Sequence, residues 1–238
     1  MSRTILLNGA TGGLGNILAK HLAVAGHRLL LTGRSENSAG LPSGAGIRFI
    51  SADVRNEDEI QAVCADAIAE FGRVDVLINA AGVSASSMSW KLNTKDWDET
   101  LAVNLRAPFL FIREVLPGMR ASGFGRIINL SSIVAFRGVP GTAAYAASKA
   151  GLDGLTKAVA SENAGKGITI NNLALGYFDA GMLYDIPEEI REEIRKQIPS
   201  AEFGNPNTIT SIIDWLISDQ SAYCNGQTLH LNGGMYTG

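Results

Sequence analysis

Tyr145 and Lys149 stand four residues apart in the stretch Tyr145-Ala146-Ala147-Ser148-Lys149, inside a helical pattern running from about 142 to 164. That spacing places both side chains on one helix face, about 5 to 6 Å apart at Cβ. An ammonium beside a phenol favours the phenolate and lowers a pKa that is about 10 when unperturbed, so the pair predicts proton exchange near neutral pH. A second constellation lies near the start of the chain, where Asn8-Gly9-Ala10-Thr11-Gly12-Gly13-Leu14-Gly15 follows a short apolar run and opens a helical pattern. Glycines at 9, 13 and 15 permit a tight turn and let backbone N–H groups approach a pyrophosphate at the positive end of the helix, where a Cβ would obstruct contact. Taken alone, the loop also fits a plain flexible turn.

Seven short apolar runs are read as strands, at 4–8, 28–32, 47–51, 74–79, 126–131, 168–175 and 227–232. They lack alternation, as parallel strands do when helices cover both faces. Helical patterns separate them at about 13–25, 56–71, 94–119, 142–164 and 206–218. The expected fold is one doubly wound Rossmann-type α/β domain over 1–238, with a seven-stranded parallel sheet. The charged segment 187–199 carries isoleucines at 190, 194 and 198 and reads as an amphipathic helix. It fits equally a helix lying on the body or a substrate lid over 177–200.

The composition excludes several classes. The 238 residues are 46% hydrophobic and 18% charged, with 27 scattered glycines, which rules out collagen-like and disordered chains. A net charge of −3 gives no global basic field for nucleic acid or an anionic membrane. Cys64 and Cys224 form no C-x-x-C pair, and His21, His27 and His230 lack metal-ligand spacing, so no metal is expected. The opening apolar run is too short for a signal peptide or a membrane span, and a cytoplasmic protein is expected.

The glycine spacing Gly-x3-Gly-x-Gly resembles the cofactor loop of the short-chain dehydrogenase/reductase family, whose landmarks recur in order along essentially the whole chain. Asp53-Val54 follows the third strand, where the family's Asp contacts adenine. Asn79-Ala80-Ala81-Gly82 follows the fourth and resembles the segment beneath the cofactor. Asn104 lies in the long helix, Ser132 follows the fifth strand, and Tyr145 with Lys149 matches Tyr-x3-Lys, 13 residues after Ser132. The resemblance implies that Gly9, Thr11, Gly12, Gly13, Leu14 and Gly15 hold a dinucleotide. It also implies that Tyr145 donates a proton to a ketone receiving hydride while Ser132 binds the same oxygen. Lys149 would bind the nicotinamide ribose, and Asn104 would position a water joining Lys149 to solvent.

NAD-preferring relatives place an Asp where this chain has Gly33; Arg34 can instead pair with a 2′-phosphate, so NADPH is expected. Gly12 lacks the second basic residue many NADP-preferring relatives carry. Beyond the sixth strand the family's Pro-Gly-x3-Thr becomes Leu175-Gly176-Tyr177-Phe178-Asp179-Ala180. Gly176 and the Phe178 backbone remain expected cofactor contacts, although the Thr hydroxyl is lost.

The subgroup most resembled is the 3-oxoacyl-[acyl-carrier-protein] reductases. This implies NADPH-dependent reduction of a 3-oxoacyl thioester in fatty acid or polyketide synthesis, an acyl-carrier protein as partner, and a homotetramer. The two long helices would pair across subunits, with Phe109, Phe111, Leu152 and Leu155 as contacts. Carrier docking is expected at Lys166, with Arg120 and Arg126 as substitutes for a basic residue missing at Gly123. Two readings stand beside this one: an oxidoreductase of a free alcohol, sugar or steroid, and a non-catalytic cofactor-binding subunit.

Overall fold

The computed structural model describes residues 2–35 and 38–238. Seven strands form one sheet: β1 (Thr4–Asn8), β2 (Arg28–Gly33), β3 (Ile47–Ser51), β4 (Val76–Asn79), β5 (Gly125–Ser132), β6 (Ile168–Leu175) and β7 (Thr228–Leu231). They run parallel in the order β3-β2-β1-β4-β5-β6-β7. The chain winds outward from β1 in one direction and from β4 in the other. A crevice therefore opens at the carboxyl ends of the strands where the order reverses.

Strands β1 to β6 contribute side chains to two cores, and β7 to one. Ile5, Leu7, Leu29, Leu31, Ile78 and Leu130 pack under α1 (Gly13–Val24) and α7 (Pro206–Ile217). Leu6, Leu30, Leu77, Ile127 and Ile170 face α2 (Glu57–Phe71), α4 (Ala107–Ser122) and α5 (Ala143–Asn163). Burial on both faces accounts for the unbroken apolar runs in the sequence. The helix expected over 94–119 is divided: α3 (Thr94–Leu101) passes through a π-helical turn at Ala102–Arg106 into α4, which continues past Pro117 until Gly123 ends it at φ +66°. A π turn widens the helix by one residue and often lies at a functional site; here it carries Asn104.

One row of the sheet is polar. Asn8, Asn79, Asn129, Asn172 and Thr228 are register partners on successive strands β1, β4, β5, β6 and β7. The Asn8 amide donates to Asn79 Oδ1 (2.5 Å), Asn79 to Asn129 Oδ1 (2.7 Å) and Asn129 to Asn172 Oδ1 (3.1 Å). Thr156 of α5 closes the row, accepting from Asn129 (3.1 Å) and donating to Asn172 (2.7 Å). Every amide in it is buried and partnered, as burial of polar groups requires.

Several surface expectations need correction. Phe111 and Leu152 are fully buried within the chain's own core and cannot contact another subunit. Arg126 is buried as well, with its guanidinium on the carbonyls of Gly125, Gly167 and Ser218 and over the Phe124 ring. It is therefore no docking residue, and Arg120 donates to Asn163 Oδ1 at 2.6 Å. Lys166 is exposed but follows α5, whose axis carries Asn163 about 21 Å from Lys149 at 1.5 Å per residue. It lies at the amino end of β6, opposite the crevice of its own chain.

Candidate active site

The cofactor cradle begins where β1 ends. Asn8 Oδ1 accepts the N–H groups of Ala80 (3.1 Å) and Ala81 (3.0 Å), which draws the loop after β4 onto the glycine loop. A Cβ on Gly9, at φ +74°, would stand 2.4 Å from Ala81 N, and one on Gly15 would stand 2.0 Å from Gly9 O. Neither position admits a side chain. Gly12 precedes α1 without any side-chain cap, and the first turn holds no acidic residue. The amino end of α1 therefore presents backbone N–H groups and positive potential to an anion, as a pyrophosphate requires.

Thr11 fills the space at the end of β2, where a Cβ on Gly33 would meet its Oγ1 at 2.4 Å. An acid at position 33 would have to displace Thr11. Arg34 is largely exposed beside the cradle, 4.0 Å from Glu99. Asp53 is engaged by Arg55, whose Nε donates to both carboxylate oxygens at 2.9 Å and whose Nη1 donates to Glu99 at 2.9 Å. The Arg55 hydrogen bonds hold the Asp53 carboxyl below its ordinary pKa, against partial desolvation. Arg55 is a second guanidinium at this end of the crevice that sequence reading missed; the expected site for one was Gly12. Val54 and Asn79 enter the cradle only through their backbones, since Val54 packs in the core and the Asn79 amide is consumed by the polar row.

At the other end, Ser132 closes β5 beside the Tyr145 hydroxyl, near enough to counter the rise in its pKa. Lys149 is buried below them, with Nζ donating to the Leu130 carbonyl at 2.6 Å and lying 5.7 Å from the centre of the Tyr145 ring. Burial brings the Lys149 pKa down to about 8. The expected depression of the Tyr145 pKa is not found. Desolvation raises it, Ser132 opposes the rise, and the neighbouring Tyr177 adds to it. Desolvation outweighs the Ser132 contribution that favours the phenolate.

Asn104, carried on the π turn, accepts Val83 N–H (2.8 Å) and donates to the Val83 carbonyl (2.8 Å) and to Ser148 Oγ (3.1 Å). A Cβ on Gly82 would lie 3.6 Å from Asn104 Oδ1 and 3.7 Å from Lys149 Nζ, so the two polar ends flank one small space. Gly176 lies where a Cβ would stand 2.8 Å from Asn232 Cα, and the Phe178 ring is buried against Gly204. Phe178 thus offers only its backbone to the crevice. Segment 177–200 is pinned at Leu183 and Ile198, both buried, while α6 (Glu188–Lys196) between them buries no residue. Gly13 meets this segment directly, since a Cβ there would stand 2.4 Å from Gly181 Cα.

The family profile described as enoyl-(acyl carrier protein) reductase matches residues 9–236. The chain belongs to the short-chain dehydrogenase/reductase family. Members of this family are oxidoreductases that use a nicotinamide cofactor, and the cradle of glycines and bare helix N-terminus fits that group. Family members similar to the chain include the 3-oxoacyl-[acyl-carrier-protein] reductase of Staphylococcus aureus, 36% identical over 99% of both chains. The enzyme of the same name from Rickettsia bellii is 35% identical over 98% of this chain and 96% of its own. Among solved structures, levodione reductase superposes with a TM-score of 0.92 at 29% identity, covering 98% of this chain and 96% of that one. No helix among the described residues is long and apolar enough to cross a membrane, and no group of side chains among them could hold a metal ion.

Proposed function

We propose that the protein reduces the ketone of a 3-oxoacyl thioester, delivered on an acyl-carrier protein, with NADPH. The observation that carries this reading is the Ser132 and Tyr145 hydroxyl pair above the buried Lys149. Two neighbouring hydroxyls suit an oxygen that becomes an alkoxide, which favours a ketone over the alkene named in the family profile. When bound, the reduced nicotinamide supplies the hydride. Tyr145, kept protonated at neutral pH by its burial, gives its proton to the oxygen, and Ser132 holds that oxygen in line. Lys149, cationic below about pH 8, stabilises the phenolate that remains. Asn104 and Lys149 flank the gap beside Gly82 through which the proton is replaced.

Gly9, Thr11, Gly12, Gly13, Leu14 and Gly15 would hold the pyrophosphate, Asp53 and Val54 would meet the adenine, and the Asn79-Ala80-Ala81-Gly82 segment would lie beneath the cofactor. Gly176 and Phe178 close it by backbone, with segment 177–200 as lid. Preference for NADPH rests on Arg34 and on Thr11 filling the space an acid at Gly33 would need. Arg34→Ala is expected to weaken NADPH about tenfold or more while sparing NADH, because only NADPH brings a phosphate for the guanidinium. Fluorescence titration of both cofactors checks this, and equal weakening would remove Arg34 as selector.

Assembly as a homotetramer is supported on one face. Leu101, Ala102, Leu105, Phe109 and Leu155 line an apolar hollow between α3, α4 and α5, with Phe109 45% exposed. A second copy of the same face would cover it. Phe109→Glu should shift sedimentation at micromolar concentration to a smaller species; an unchanged profile would place the contact elsewhere. Free thiols at Cys64 and Cys224 suit a cytoplasmic setting. Steady-state NADPH oxidation with carrier-bound 3-oxoacyl, carrier-bound 2-enoyl and free ketone substrates tests the reading as a whole. Turnover highest on the first supports it, and turnover confined to either of the others overturns it.

A further inference from the structure

Two side chains at the crevice are not used by the mechanism above. Tyr177 follows Gly176 at the carboxyl end of β6, and Arg137 follows Ser132 by one short turn at the carboxyl end of β5. These strands are neighbours, with Ser132 in register with Leu175, so both residues leave the same edge of the sheet beside Tyr145. The two phenols are close enough for Tyr177 to act on the Tyr145 hydroxyl, and Arg137 in turn acts on Tyr177. Tyr177 is therefore a neighbour of both Tyr145 and Arg137 at this end of the crevice.

The arginine is held in place. Its N–H donates to the Ile133 carbonyl at 2.8 Å. The preceding residue, Phe136, packs against both His230 and Tyr236, at ring distances of 4.8 and 5.5 Å, in a cluster of three mutually touching rings. Arg137 is half-buried, and no carboxylate pairs with it among the described residues. A half-buried guanidinium with its donors unsatisfied by protein acids is a recognition group in search of an oxygen acceptor.

We infer that Tyr177 and Arg137 bind the second oxygen function of a 1,3-dicarbonyl substrate, the oxygen two carbons from the ketone that Tyr145 protonates. The inference rests on the ketone-reductase reading and names the substrate feature that the site selects. The acceptor is either the carbonyl of a thioester or the carboxylate of a free 3-oxo acid, which offer the same oxygen at the same position. A simple ketone has none there, so it would leave the pair unsatisfied, and a polar site deprived of its partner discriminates strongly.

The test measures kcat/KM of the wild type, Arg137→Met, Arg137→Lys and Tyr177→Phe on three substrates of one chain length. These are a short 3-oxoacyl thioester, the free 3-oxo acid and a monoketone. For Arg137→Met, the ratio of kcat/KM on at least one dicarbonyl substrate to that on the monoketone is expected to fall by about tenfold or more, with smaller falls for Arg137→Lys and Tyr177→Phe. The substrate whose ratio falls further identifies the acceptor as thioester or carboxylate. NADPH titration reports whether each variant retains a folded cofactor site. Unchanged ratios on both dicarbonyls in a variant that still binds NADPH would overturn the inference. Failure of the wild type to reduce any of the three would instead remove the ketone-reductase reading on which it rests.

Discussion

Tyr145→Phe is expected to lower kcat by at least about 100-fold, the typical contribution of a positioned general acid. The loss of one hydroxyl leaves the half-buried ring packed in place, so NADPH affinity and thermal stability should stay close to the wild type. Because Tyr145 is half-buried and desolvation raises its pKa, the phenol stays protonated through neutral pH, which suits a donor in ketone reduction. Single-turnover measurement with saturating NADPH and a 3-oxoacyl thioester checks the assignment. Retention of more than about a tenth of wild-type kcat would assign the proton to another group.

Lys149→Met should give an equally severe loss of turnover, on the order of 100-fold, together with a fold at least as stable as the wild type. The two results have one cause. Lys149 is 4% exposed and its pKa falls from 10.5 to about 8, so near neutrality the folded state holds an ammonium that burial disfavours. That difference corresponds to about 3 kcal/mol, offset in part by the hydrogen bond to the Leu130 carbonyl. Between about pH 8 and 10.5 the unfolded chain binds more protons at this residue than the folded one, so its contribution to stability rises with pH. The advantage of the Met variant in Tm should therefore be largest near pH 7 and shrink as pH approaches 10. Calorimetry at the two pH values decides it. A Met variant that melts well below the wild type at pH 7 would mean that the ammonium stabilises the fold.

Much of the architecture is legible in the residues because the signals are local. The apolar runs become strands within a residue or two, and the glycine loop stands between β1 and α1, since both follow from burial and steric access at the residue itself. What escaped depends on neighbours brought together by folding. The π turn at Ala102–Arg106 leaves no mark in a periodicity that continues on either side. Phe111 and Leu152 are as apolar as Phe109, and only packing separates the two buried residues from the exposed one. Arg126 carries the charge of a surface residue yet lies among backbone carbonyls. In the candidate site, the grouping of Ser132, Tyr145 and Lys149 was readable, but the direction of the Tyr145 pKa was not. It depends on how deeply the phenol is buried and on Tyr177, a residue 32 positions further along the chain.

The polar row through Asn8, Asn79, Asn129 and Asn172 has a consequence for how the chain reaches this structure. Parallel strands are joined only after long crossovers and offer many near-equivalent alignments to a folding chain. A slip of one residue in any of these strands would turn its amide to the opposite face, into the apolar layer under α1 and α7, and strand its neighbours' amides without partners. Apolar side chains tolerate such slips far better, since one branched aliphatic packs much like the next. The row therefore acts as a proofreading key during folding: it rejects misaligned intermediates and brings the strands bearing the glycine loop and Ser132 into one alignment.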